Sequence, residues 1–135
     1  MIMKNFFSVL AIVMTVVLMS SCSSDSPKTV AEKSMGCIVD GDYKGYVEYI
    51  YFNDGGDAKK LQRDKDGTAA LMGEKLDKTL HQKRGIKHYA VLSEEVQDTV
   101  ATVKTKLVYG NGEIEEDVLN MKKDKHGDWK IDMGE

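Results

Sequence analysis

Residues 86–133 read IKHYAVLSEEVQDTVATVKTKLVYGNGEIEEDVLNMKKDKHGDWKIDM. From Ile86 onward apolar residues return at every second position, the spacing of strands with one buried face. Ile86, His88, Ala90 and Leu92 alternate with Lys87, Tyr89 and Val91. Ala101, Val103, Leu107 and Tyr109 alternate with Thr102, Lys104 and Lys106. Between them, Glu94–Asp98 reads as a turn. Gly110-Asn111-Gly112 predicts a hairpin of type I′, because Asn-Gly tolerates the positive φ angles of that turn. A third strand is expected over about 113–123, with Val118, Leu119 and Met121. Lys125-His126-Gly127 turns the chain again. A last strand, Asp128–Met133, places Trp129, Ile131 and Met133 on one face. Four consecutive strands with short connections pair largely antiparallel. Their apolar face needs a cover.

The cover lies upstream. Ser26-Pro27 opens a helix, with a hydroxyl acceptor at the N-cap and proline at the first helical position. Ala31, Met35 and Ile38 recur at helical spacing before Asp40-Gly41 ends the run. Asp42 caps a second helix, with Tyr46, Val47, Tyr49 and Ile50 on its apolar side. A third helix is expected over about 68–84, where Ala69, Met72, Leu76 and Leu80 share one face. The charged stretch 57–67 fits either an extension of that helix or an exposed loop. The fold class is therefore α+β, with N-terminal helices packed on a curved, mainly antiparallel four-stranded sheet.

The chain opens with MIMKNFFSVLAIVMTVVLMSSC. Lys4 precedes an uncharged run of 14 residues, Phe6–Met19, too short to span a bilayer as a helix. Small residues and Cys22 follow, the pattern of a secretory signal peptide. The junction resembles a bacterial lipobox, with Met19 in the aliphatic place. The resemblance implies cleavage between Ser21 and Cys22 and acyl chains on Cys22. Two or three such chains hold a domain at a membrane surface, where a single chain anchors only marginally. The organisation expected is a signal peptide over 1–21, a lipidated cysteine and tether over 22–27, and one domain over 28–135. The same resemblance implies the outer membrane of a bacterial envelope over the inner, because Ser23 follows the cysteine where some lipoproteins carry an inner-membrane retention Asp.

Composition narrows the function. The 135 residues carry 19 basic and 22 acidic side chains, a net charge of −3, which disfavours a nucleic-acid partner. Two cysteines make no disulfide framework. Cys37, lying in a helical pattern, reads as a buried, inert thiol.

The order helix, Gly41-Asp42-Tyr43, two further helices and four strands ending in Asp128-Trp129-Lys130-Ile131-Asp132 carries a resemblance. It resembles the cone-shaped fold of nuclear transport factor two, ketosteroid isomerase and the SnoaL-like proteins, in the cystatin-like group. Within it, the chain is similar to bacterial lipoproteins bearing a domain of unknown function, over about residues 28–134. The resemblance implies a pocket open at one end of the cone. Members of the superfamily include enzymes, small-molecule binders and assembly modules, so the fold alone does not name the activity.

An isomerase-type site needs a carboxylate base inside the cone facing a tyrosine or acid. Tyr46, Tyr49, Tyr51 and Tyr89 could supply hydroxyls. Glu115-Glu116-Asp117 reads as a solvated run, so no catalytic residue is assigned. His81, His88 and His126 lack metal-ligand spacing, and no motif calls for a cofactor. Tyr46, Tyr49, His88 and Trp129 are the expected lining of the pocket. The sequence thus points to a non-enzymatic lipoprotein that binds a small ligand or an envelope protein. Two alternatives stand beside it: an isomerase or cyclase acting on a small hydrophobic substrate, and a homodimeric assembly module.

Overall fold

The computed structural model describes residues 25–53 and 55–134. The signal peptide, with Ser21, then Cys22 and the first tether residues, Ser23 and Ser24, lie outside the described residues. Helix α1 spans Pro27–Asp40. The Ser26 hydroxyl accepts from the Thr29 amide at 3.2 Å, and Gly41 closes the helix at φ 70°. Val30, Ala31, Ser34 and Met35 form its buried stripe. Ala31 and Ser34 are small, which lets the helix sit close to the sheet, and Ser34 satisfies its hydroxyl on the Ala31 carbonyl at 2.8 Å.

Helix α2 covers only Tyr43–Val47, shorter than its apolar pattern suggests. Tyr49–Tyr51 instead run beside the last strand, where Ile50 forms an isolated parallel bridge with Ile131. The Ile131 amide donates to the Tyr49 carbonyl and the Tyr51 amide donates to the Ile131 carbonyl, at 2.7 and 2.8 Å. A run of aromatic and β-branched residues favours that extended state. Helix α3 spans Ala58–Gln82 and takes in the ambiguous charged stretch. Asp57 caps it, and two side-chain pairs, Lys60–Asp64 at 2.8 Å and Gln62–Asp66 at 2.9 Å, support its first turns.

Strands β1 (Ile86–Gln97), β2 (Val100–Tyr109), β3 (Ile114–Lys123) and β4 (Trp129–Ile131) form one sheet in chain order, every neighbour antiparallel. Strand β1 does not stop at Glu94. Glu95, Val96 and Gln97 pair with Thr102, Ala101 and Val100, so ladder bonds override their polar composition. The turn is Asp98-Thr99, with Asp98 at φ 60°. Two register shifts interrupt β1, between Ile86 and His88 and between Val91 and Ser93. Each adds a residue and reverses the alternation. Tyr89 and Val91 therefore take the inner face expected of His88, Ala90 and Leu92.

The Gly110-Asn111-Gly112 hairpin forms, but not as type I′. Of the three, only Gly112 has positive φ, at 91°. The Gly112 amide bonds the Tyr109 carbonyl at 3.0 Å, giving a three-residue loop closed by a left-handed glycine. At Gly110 a Cβ would collide with the Arg84 carbonyl, since the loop docks there through a Gly110 amide bond to the Gly85 carbonyl at 2.8 Å. In β4, Trp129 and Ile131 are buried, whereas Met133 lies beyond the strand and is exposed.

The core lies between α1, α2 and the inner face of the sheet, around Val103, Met121 and Ile131. Met121→Ala leaves a cavity there and should cost about 2–5 kcal/mol by urea denaturation. Gly110→Ala should also destabilise, while the exposed Val118→Ala should cost less than either.

Candidate functional site

Side chains paired across neighbouring strands share a face of the sheet. Thr105 pairs with Asp117 and Leu107 with Glu115. Thr105 is buried on the helix-covered face, so both carboxylates lie on that inner face and Glu116 points outward. Asp117 and Glu115 are nonetheless exposed, because the helices leave this end of the sheet uncovered.

Two tyrosines stand against these acids. The Tyr109 hydroxyl donates to Glu115 Oε2 at 2.8 Å. Burial, the hydrogen bond to Glu115 and the surrounding carboxylates push Tyr109 up to about 12. Tyr46 is buried, and burial raises its pKa first, helped by the charge of Asp117 and by Cys37. Cys37 itself is half-buried against the core. Burial raises its pKa, with Asp42 and Asp40 adding to the effect, so the thiol form is favoured over the thiolate.

A groove of about 570 Å³ opens at the same end of the molecule, between the last turns of α1 and α3. Ile38, Val39, Leu80 and Ile86 supply its apolar wall, and Asp40, His81 and Arg84 its polar part. Tyr43 and Asp77 also line it, joined by a hydrogen bond of 2.6 Å from the tyrosine hydroxyl. Burial and that bond push Tyr43 up to about 12. The β2–β3 loop closes this end: Lys83 pairs with Glu113 at 3.3 Å and lies 4.4 Å from the centre of the Tyr109 ring.

Three of the four residues expected to line a pocket, Tyr46, Tyr49 and Trp129, come together in the core cluster instead, and His88 does not join them. Tyr46 and Trp129 are buried in the core, and Tyr49 packs half-buried against it. His88 is exposed: the register shift after Ile86 turns it away from the helices, so it lines no pocket on the inner face. On the inner face the residues that gather are Glu115, Asp117 and Tyr109, while the Tyr43–Asp77 pair lines the separate groove between α1 and α3. Alternation carried back from Met121 through Leu119 to Asp117 and Glu115 is the sequence signal for the two acids. Among the described residues no three His, Cys, Asp or Glu side chains group as a metal site. The arrangement offers solvated carboxylates beside tyrosine hydroxyls and an apolar wall. It suits a ligand with hydrogen-bond donors or positive charge and some apolar surface.

A family profile, a domain of unknown function designated DUF4878, matches residues 20–132. The chain belongs to the DUF4878 family. No curated protein matches it. Among solved structures, this DUF4878 chain is similar to a Campylobacter jejuni protein provisionally named an NTF2-like transpeptidase. The two share 13% identity over 81% of this chain and 99% of that one, with a TM-score of 0.65. That likeness establishes the nuclear transport factor two-like fold. More distant are a SEC-C motif containing protein from Rhodopseudomonas palustris, at 18% identity over 82% of this chain and 77% of that one, TM-score 0.49, and a DUF4783 family protein from Bacteroides ovatus, at 11% identity over 82% and 96%, TM-score 0.42.

The raised tyrosines give a pH signature. The ordinary tyrosine value is 10.0, and Tyr43 and Tyr109 stand near 12 in the folded protein. Their stabilising effect is complete below pH 10 and is lost as pH rises through 12. Ultraviolet titration of the phenolates should show these two among the last of the six tyrosines to ionise. Tyr43→Phe and Tyr109→Phe should each remove one late step.

Proposed function

We propose that this DUF4878 protein is a bacterial envelope lipoprotein. Acyl chains on Cys22 hold it to a membrane, and its domain binds a small ligand or an envelope protein without transforming it. Anchoring is supported by the sequence: a short apolar leader, small residues, then a cysteine and a polar tether. The family match begins at residue 20 and so takes in Cys22. Among the described residues no helix is long and apolar enough to cross a membrane, so attachment through them would need another device.

Binding rests on one observation: the uncovered end of the inner face, where the Tyr109 hydroxyl donates to the exposed Glu115 and the exposed Asp117 lies within electrostatic reach of the buried Tyr46. Both acids are exposed to water and open to a ligand from the solvent side, not enclosed in a cone pocket where a substrate would be shielded. The enzyme reading keeps one point in its favour, the approach of Asp117 to Tyr46. Turnover of a hydrophobic ketone by the wild type, abolished by Asp117→Asn, would establish it.

Cys22→Ser tests the anchor. In a bacterial host the wild type should sediment with membranes and partition into detergent. The variant should appear in the aqueous fraction. Equal partitioning of the two would contradict lipid attachment.

A further inference from the structure

We infer that the tip of the β1–β2 hairpin is a foot that rests on the lipid surface beside Cys22. The inference rests on the anchoring proposed above. Helix α1 runs antiparallel to β1. At its start the Lys28 amide donates to Glu94 Oε2 at 2.8 Å, and further along Gly36 lies against the Tyr89 hydroxyl. Beyond Glu94, β1 therefore overhangs the beginning of α1. The four residues from Glu94 to Asp98 project about 13 Å at the rise of a strand.

The anchor sits just as near. Asp25 is bound to Lys33 at 2.7 Å, so the folded unit begins there. Only Ser23 and Ser24 separate Asp25 from Cys22. Three Cα steps reach at most about 11 Å. A diacylated cysteine stays within the interfacial layer, roughly 5–8 Å deep on each side of the hydrocarbon. The tether is thus no longer than the overhang, and the hairpin tip meets the headgroups when α1 starts above the anchor.

The tip is suited to that contact. Val96 and Val100 flank the turn, and each keeps 52% of its surface exposed. They lie on opposite sides of the ribbon, since Val96 pairs with Ala101 on the inner face and Val100 with Gln97 on the outer. Around them lie Glu94, Glu95 and Asp98 and, on the adjoining β3 end, Lys122 and Lys123; Lys122 pairs with Asp132 at 3.9 Å, and the Lys123 amide bonds the Thr99 carbonyl at 2.9 Å. Acids outnumber lysines there, so the two valines, and not charge attraction to headgroups, make the contact. The consequence concerns the binding end. Tyr109 lies at the other end of the ten-residue β2, nine steps or about 30 Å from Val100, and Glu115 and the α1–α3 groove lie toward that same end. They face away from the membrane.

The test uses the lipidated full chain, with Cys37→Ala to remove the free thiol. It is reconstituted in vesicles of phosphatidylethanolamine and phosphatidylglycerol that carry a nitroxide headgroup quencher. A fluorophore is placed on Thr99→Cys, at the tip, or on His88→Cys, exposed near the far end of β1. The label at 99 should be quenched severalfold more than the label at 88. Adding Val96→Asp and Val100→Asp should bring the two close together while the protein still floats with the vesicles. Vesicle-bound protein quenched equally at both sites, or more at 88, overturns the foot and leaves the anchor standing. Protein that stays off the vesicles overturns both.

Discussion

The inner face of β2 and β3 carries apolar side chains that water would otherwise meet, and one helix has to cover them. Val103, Met121 and Ile131 are at most 2% exposed, and α1 makes this possible by presenting Ala31 and Ser34, fully buried and small, to the sheet. Burying side chains of this size contributes about 1.5–3 kcal/mol each, so this seam is where the fold gains most of its stability. The other elements follow from it. Helix α2 and the extended Tyr49–Tyr51 segment seal the β4 side. Helix α3 leans mainly on α2 and buries only Ala69 fully, with Met72 and Leu76 half-buried against the core. The candidate site is what remains where the cover ends: an inner face that turns from valine and methionine to aspartate and glutamate along the same strands.

Much of this was legible in the residues. The caps of α1 could be read from Ser26-Pro27 and Gly41, since the side-chain acceptor and the left-handed glycine are local devices. The α+β order and four antiparallel strands followed from period-two patterning and short turns. What escaped is non-local. No feature of Lys87 announces that it displaces His88 to the outer face; the shift is decided by pairing with Val108 and Tyr109. The polar Glu94–Gln97 stretch looks like a turn until the partners on β2 are known. The helicity of 58–67 depends on pairs such as Lys60–Asp64 that a composition-based reading leaves undecided. At the site, Glu115 and Asp117 were hidden inside a run of three acids whose alternation matters more than its charge.

The same geometry separates the two ends of the molecule. At one end lie the start of α1 and the β1–β2 turn. At the other lie the last turns of α1 and α3, the β2–β3 loop and the tyrosine–carboxylate pairs. Such a polarity would suit the anchored binding domain proposed above, because a site beside an anchor would compete with lipid for the same space. The nuclear transport factor two-like fold supplies the scaffold for this division without deciding the ligand.

Helix α1 and the sheet form one cooperative unit through the Ala31–Ser34 seam. Native-state hydrogen exchange under increasing denaturant measures this directly. Amides of α1 near Met35 and of β2 near Val103 should open together, at the free energy of global unfolding. Exchange of α1 well before β2, at a clearly lower free energy, would show that the sheet stands without its cover and would contradict the account.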